Sequence, residues 1–356
     1  MKASYRADHV GSLLRPQQVL DAHAAFGRKE ISAEQLHSVE DTAIRDALAM
    51  QHEVGLDVVS DGEFRRSDWA GDFAASVDGY VESTPPIAFD WRMPDADESL
   101  PGAVRQAIAV MPQQSGRVIG ARVHQRQRLT EHEARFLRDR AGGPFKITLP
   151  AASYIVARGW KPGVTESAYP TREALVDDIV DIVGAEVRAL AVEGVPYVQI
   201  DNPHYADYLE AHRRDEWRSI GVDPDVALRQ DVAGDNACLA GVDRTGVTLA
   251  MHICRGNARS AWHTRGGYEP IAEQVFNGVG VDRFLLEYDT DRSGGFEPLR
   301  FMPRGKQVML GLITTKVGAL ESQDDLLRRI DEASHYVPIE DLAVGPQCGF
   351  ASLSGG

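Results

Sequence analysis

The sequence predicts an α/β protein, a (β/α)8 barrel with an irregular insertion near its mouth. Three observations carry this. Short apolar runs alternate with amphipathic helical stretches through most of the 356 residues. The runs are continuously apolar, as in parallel strands covered by helices on both faces. No G-x-G-x-x-G turn of an open doubly wound sheet is present, and the chain length and number of runs suit a closed barrel.

Taken in order, Val10-Gly11-Ser12 is the first strand candidate. Ser32-Ala33-Glu34-Gln35 reads as a capping box. Behind it Leu36, Val39, Ala43, Ile44, Ala47 and Leu48 share one helical face until Gly55 stops the helix. Leu56–Ser60 is a short strand ending in Asp61-Gly62-Glu63. Residues from about Trp69 to Gln114 are rich in Pro, Ser, Asp and Gly and read as the insertion. Val118–Val123 and Phe145–Leu149 are the next strands. A helix from about Thr171, with Leu175, Ile179, Ile182, Val183 and Leu190 on its apolar face, stops near Gly194, and Tyr197–Ile200 follows, ending at Asp201. Asp223-Pro224 starts another helix, with an acidic cap before a proline at the first position. Val247–Met251, Arg283–Leu286, Val308–Ile313 and Leu342–Val344 complete the strands, and Asp289–Gly305 reads as a mobile loop. The candidates number one more than a barrel needs, so one is expected to be a hairpin or accessory strand. Residues 1–356 are read as a single catalytic barrel.

Composition narrows the function classes. With 43% hydrophobic and 26% charged residues the chain is of the soluble globular type. No apolar run is long enough to span a bilayer, and Met1–Arg6 lacks the apolar core of a signal peptide, so a cytoplasmic protein is expected. The net charge of -15 argues against a nucleic-acid partner, since a polyanion would be repelled. Three cysteines do not make a disulfide framework.

The reactive residue types collect at strand ends. Ser12, Glu63, Asp201, His252 with Cys254, Glu287, Lys316 and Cys348 each sit at or just beyond the C-terminal end of a predicted strand. In β/α barrels those ends converge on one rim, so residues remote in sequence meet there. His252-Ile253-Cys254 puts two metal-ligand types on one side of a strand, and Glu287 and Cys348 complete a His/Cys/Glu/Cys set. Such mixed ligation suits zinc and disfavours magnesium or calcium. The His-x-Cys pair alone reads as well as a buried cysteine beside a hydrogen-bonded histidine; convergence of four candidates favours the metal. Cys238, beside Leu239 in a helical stretch, reads as an inert buried residue. Thiolate-ligated zinc activates thiols, because the thiolate is the nucleophile and a free thiol is mostly protonated at neutral pH. Glu63 and Asp201 suit an α-ammonium group, and backbone N–H groups near Ser12 its carboxylate. The plainer alternatives are a surface acid for Glu63 and a helix cap for Asp201. Arg65, Arg66, Asp68 and Trp69 are read as shaping the pocket or as a solvated loop.

Together these motifs resemble the catalytic barrel of the cobalamin-independent methionine synthase family. The resemblance runs, in the family's order, through Val10-Gly11-Ser12, Asp61-Gly62-Glu63, Gln199-Ile200-Asp201, Met251-His252-Ile253-Cys254, Leu286-Glu287 and Gly345-Pro346-Gln347-Cys348-Gly349. It implies a TIM (β/α)8 barrel, catalytic zinc on His252, Cys254, Glu287 and Cys348, and homocysteine contacts at Ser12, Glu63 and Asp201. Methyl transfer to homocysteine would give methionine. The departures are specific. The family's second, N-terminal barrel has no counterpart here, and its pterin tryptophan is missing from Pro144–Pro150. Asn202 stands where a glutamate usually follows Asp201, and Lys316 falls where the family has a proton-donating histidine. Lys316 is accordingly read as stabilising the leaving group or binding an acidic substituent, or else as a salt-bridge lysine. The methyl donor is left between a methylfolate and a methylcorrinoid, the latter on a partner protein. Competing readings are alkyl transfer to or from another thiol, a non-catalytic zinc-binding protein, and a metal-free barrel decarboxylase of the uroporphyrinogen type.

Overall fold

The computed structural model describes residues 5–83, 91–92, 116–258 and 260–351. Helices α1 (Gln17–Gly27), α2 (Ala33–Glu53) and α3 (Gly71–Ser76) precede a short antiparallel pair, β1 (Tyr80–Glu82) and β2 (Arg117–Ile119). Then α4 (Glu131–Arg140), β3 (Lys146–Pro150), α5 (Ala152–Gly159), α6 (Arg172–Val192), β4 (Tyr197–Asp201), α7 (Ala211–Ser219), α8 (Pro224–Cys238) and β5 (Thr248–Ile253) follow. The last described elements are α9 (Ala272–Gly278), β6 (Arg283–Glu287), β7 (Gln307–Ile313), α10 (Gln323–Ser334) and β8 (Leu342–Pro346).

Helix starts follow their caps. In α2 the Ser32 hydroxyl accepts from Gln35 N (3.2 Å) and the Gln35 side chain accepts from Ser32 N (2.8 Å), so two otherwise orphaned donors are satisfied. Asp223 accepts from Asp225 N and Val226 N at the head of α8, whose first residue, Pro224, has no N–H to satisfy.

Strands β3 to β8 form one parallel sheet in sequence order. Two further segments close it into a ring. Asp8 N donates to Val344 O beside β8, Asp57 N donates to Ala7 O, and Val59 N and Lys146 N exchange bonds with Pro144 O and Val59 O beside β3. Six strands and two single-bridge segments give eight staves, a TIM barrel. The first two expected strands are therefore corrected. The first stave pairs at Ala7, upstream of Val10–Ser12, and the second holds its neighbour only at Val59. Gly11 (φ 144) already turns the chain away from the ladder. The supernumerary run is Val118–Val123, whose first residues pair with β1 outside the barrel.

Period-two alternation sorts the strand residues into two layers. Outward residues such as Ile147, Leu149, Val198, Ile200, Met251 and Phe284 pack under the helices. Inward residues Tyr197, Ala250, Leu285, Met309 and Ala343 fill the lumen with Tyr5, Val10 and Val58. The expected mobile loop Asp289–Gly305 is instead packed: Ser293 and Leu299 are buried, and the Phe296 ring lies 4.6 Å from Tyr288. Of the insertion about 69–114, residues 84–90 and 93–114 lie outside the described residues. No described helix is long and apolar enough to cross a membrane.

Just beyond β4, His204 is buried between two carboxylates, with Nδ1 2.9 Å from Asp207 and Nε2 3.1 Å from Asp231. Burial disfavours its charge, but the two acids outweigh burial and lift its pKa to about 9. The folded protein thus holds this proton more tightly than the unfolded chain. Its stabilisation is complete below about pH 6.5, is lost as pH rises through 9, and amounts to about 3 kcal/mol. Denaturant unfolding across that window should show the loss in wild type and a flatter profile in His204→Gln; equal slopes would remove His204 as its source.

Candidate active site and metal centre

The C-terminal ends of the staves surround a cavity lined by Ser12, Glu63, Trp69, Asp201, His252, Cys254 and Cys348. Seven of the expected residues are therefore brought together. His252 points inward from β5, and Cys254, two residues on, keeps the same side. Cys348 arrives from the turn after β8, and its sulfur lies 3.0 Å from that of Cys254. The ligand atoms of His252, Cys254 and Cys348 all lie within 4.8 Å of one another.

The imidazole of His252 is preset for a further partner. Its Nδ1 lies 3.1 Å from Leu285 O, which can only accept, so Nδ1 carries the proton. Nε2 is buried and makes no hydrogen bond of ordinary geometry; burial lowers the pKa of the imidazole, but the Cys348 sulfur beside it outweighs burial and raises it. An imidazole nitrogen beside two sulfurs fits a metal ion that would displace their protons, and nitrogen and sulfur donors favour zinc. The sulfurs share charge unequally. The hydrogen bond from Cys254, opposed by burial and helped by His252, pulls Cys348 well below the ordinary thiol range. Cys254 is pushed up by that same bond and by burial.

Glu287 stands beside this group and outside its compact three-atom set. Its Oε1 accepts from Arg255 N (2.6 Å) and its Oε2 from Arg292 (2.9 Å). Burial opposes its charge, but Arg292, Arg255 and Lys316 prevail and hold its pKa down to about 2.

Opposite the His252, Cys254 and Cys348 group, Glu63 occupies a left-handed conformation (φ 58) that is costly for a residue with a β-carbon. Arg15 fixes this turn by donating to Glu63 O (3.0 Å) and Arg66 O (3.1 Å). Thr148 of β3 donates to Glu63 Oε1 (2.8 Å), while Oε2 is buried with no hydrogen-bond partner. A β-carbon on Gly11 would lie 2.8 Å from Glu63 Oε1, so glycine makes room for the carboxylate. Burial raises the pKa of Glu63 to about 7 and that of Asp201 to about 6. The helix cap is Asn202, which accepts from Tyr205 N, so Asp201 has no capping duty. Asn202 also donates to Asp235 (2.7 Å) and Ser153 (2.8 Å), a tether in place of a second acid. A β-carbon on Gly349 would overlap the Ser12 hydroxyl, so any side chain there would have to displace Ser12.

Besides Glu287, two more expected residues do not line the cavity. Arg66 grips Glu133 through Nε (2.7 Å) and Nη2 (2.6 Å) and donates to Thr148 Oγ1 (2.8 Å), and its Nη1 lies 3.7 Å from Glu63 Oε1, so it steadies the Glu63 carboxylate from behind. Lys316 donates to Gly256 O (2.7 Å), Asn257 Oδ1 (2.8 Å) and Ala261 O (3.2 Å). Its three N–H bonds are spent on the loop after β5, which corrects its reading as the group that meets the leaving group. Lys316→Met should therefore loosen the loop that carries Cys254 and speed metal loss to a chelator by about tenfold or more, with little change in thermal midpoint. Unchanged metal retention would remove the anchoring role.

The cavity also takes Trp91, Tyr154, Arg158, Asn257 and His263, none singled out from sequence. Tyr154, in the first turn of α5 after β3, obeys the strand-end rule and was findable by it. Its ring centroid lies 4.7 Å from that of Trp69. Trp91 and His263 meet edge to face at 5.7 Å; no local pattern marks them.

Fold and site together define a β/α-barrel protein with thiol, imidazole and carboxylate groups gathered on its C-terminal rim. A family model described as "Cobalamin-independent synthase, Catalytic domain" matches residues 7–88 and 161–355. The Bacillus subtilis protein YxjH, itself uncharacterized, is 36% identical over all of this chain and 89% of its own length. The methionine synthase of Pyrococcus abyssi is 22% identical across 97% of this chain and 86% of its own. A solved Listeria monocytogenes structure, provisionally named a vitamin-B12-independent methionine synthase, superposes with a TM-score of 0.73 at 28% identity, covering 99% of this chain and 93% of that one. The chain belongs to the cobalamin-independent synthase family and corresponds to its catalytic domain.

Proposed function

We propose that this protein is a zinc-dependent methyltransferase that methylates homocysteine to methionine. One observation carries the proposal: two buried, unmet atoms share one cavity. His252 Nε2, beside the two thiols, awaits an electron-pair acceptor, and Glu63 Oε2 awaits a hydrogen-bond donor. An amino acid bearing a thiol would meet both needs at once. The methionine synthase activity named for relatives supports the same reading.

His252, Cys254 and Cys348 would hold the zinc, with Glu287 beside them. Bound there, zinc would lower the pKa of an incoming thiol so that thiolate is available at neutral pH. Glu63 and Asp201 would take the α-ammonium group, and the turn at Ser12 the carboxylate, which fixes the sulfur's approach. The transfer is a displacement: a sulfur–carbon bond forms as the methyl–donor bond breaks, and that electron pair leaves with the donor. Trp69, Trp91 and Tyr154 offer an aromatic wall for the donor, from elements other than Pro144–Pro150. This favours a planar methyl donor such as a methylfolate.

The test uses protein of measured zinc content, homocysteine and other thiols, and both methylfolate and methylcorrinoid donors. Methionine formed from homocysteine is the expected product. Inert homocysteine alongside a methylated alternative thiol would move the activity to that thiol. A zinc environment unmoved by any thiol in X-ray absorption would reduce the protein to a zinc binder.

A further inference from the structure

Beneath Asp201 the barrel lumen holds a chain of hydrogen bonds that can run in only one direction. Lys146, at the start of β3, is fully buried, with its Nζ 2.6 Å from Asp8 Oδ1 and 2.9 Å from Gln199 Oε1. Asp8 is in turn held by Arg283 (2.9 Å) and the Tyr197 hydroxyl (2.9 Å), so it is already committed as a counter-ion to two cations. An ammonium has three donors and no acceptor. Whichever end of the Gln199 amide faces Lys146 must therefore be the oxygen. The NH2 end is then forced towards the rim, where it donates to Asp201 Oδ1 at 2.7 Å and to Val10 O. An amide NH2 cannot accept, so Asp201 Oδ1 is always an acceptor, whatever enters the cavity.

The two-residue period of the strand makes this alignment available. Gln199 and Asp201 share the inward side of β4, and Lys146 pairs with Tyr197 in the adjoining strand, one inward step below. Neither Lys146 nor Gln199 lines the cavity. The buried Lys146, Asp8, Arg283 and Gln199 network costs desolvation that packed aliphatic side chains would avoid. Their directional output is aimed at a cavity acid.

We propose that Lys146 and Gln199 are positioning residues: a directional relay that fixes the Asp201 carboxylate so that its second oxygen serves the cationic group of the substrate. The relay rests on the reading that Glu63 and Asp201 receive the α-ammonium group of an amino-acid thiol. It adds the residues that enforce this selection without touching the substrate.

The experiment compares homocysteine with its deaminated analogue 4-sulfanylbutanoate, binding each to zinc-loaded protein and following cavity tryptophan fluorescence. Wild type should prefer homocysteine by about thirtyfold or more, the worth of one buried charged hydrogen bond. Gln199→Met, close in volume, should lose about tenfold of that preference while its affinity for the deaminated thiol stays within about threefold. Lys146→Gln frees the Gln199 amide to turn over and should lose part of the preference; it carries the test should Gln199→Met not fold. A merely structural role weakens both thiols equally and leaves their ratio at the wild-type value, which would overturn the relay. A wild type that does not discriminate between the thiols would overturn the ammonium reading itself.

Discussion

Cys348→Ser should leave the barrel folded and strip it of metal. Cys348 is one of three atoms in the compact donor group, and it is the sulfur drawn towards the thiolate form. A serine hydroxyl keeps the size and loses that ligand, so zinc affinity should fall by well over about 100-fold, more than an outer partner of a metal ligand contributes. Elemental analysis after dialysis and a far-UV spectrum check this together: little zinc with native secondary structure is the expected pair. Methyl transfer should fall in step with zinc content. Zinc and activity both at wild-type levels would take Cys348 out of the site.

Glu63→Gln should produce the second large effect, on affinity. The amide keeps the shape and removes the charge opposite an ammonium group, which costs about 2 to 3 kcal/mol, or roughly 30- to 150-fold in dissociation constant. The pH dependence carries a definite sign. Burial raises the Glu63 pKa to about 7, so below that pH the empty cavity holds a protonated acid. Binding a cation must then expel that proton, and between about pH 6, where Asp201 also titrates, and pH 7 affinity should rise by up to about tenfold per pH unit and level off above. Methionine is the proper probe, because its thioether has no proton to lose. The same raised pKa costs stability: without ligand, this acid's contribution declines as pH rises from about 4.5 to 7. Glu63→Gln should flatten both curves. A variant that binds methionine as wild type does, with the same pH slope, would assign the ammonium group elsewhere.

Much of this site was legible in the order of residues. The capping box at Ser32, the apolar face of α2 and the stops at Gly55 and Gly194 follow from local hydrogen bonding and helical periodicity, and the structure contains them. The strand-end rule gathered Ser12, Glu63, Asp201, His252, Cys254 and Cys348, because inward and outward faces alternate along a strand. The same rule included Lys316 and Glu287, whose residue types suit the rim equally well. Their hydrogen-bond partners, which lie on other loops, give them different duties.

What the sequence by itself determined was therefore the barrel and the chemical types on its rim, both consequences of short-range periodicity. Only the tertiary structure decided which of those groups still have valence to offer. Lys316 has spent its donors on Gly256, Asn257 and Ala261, and Arg66 has spent its own on Glu133 and Thr148. His252 Nε2 and Glu63 Oε2 have kept theirs. Pattern fixes the face a side chain takes, whereas a free valence depends on partners brought from distant positions by the closing of the barrel.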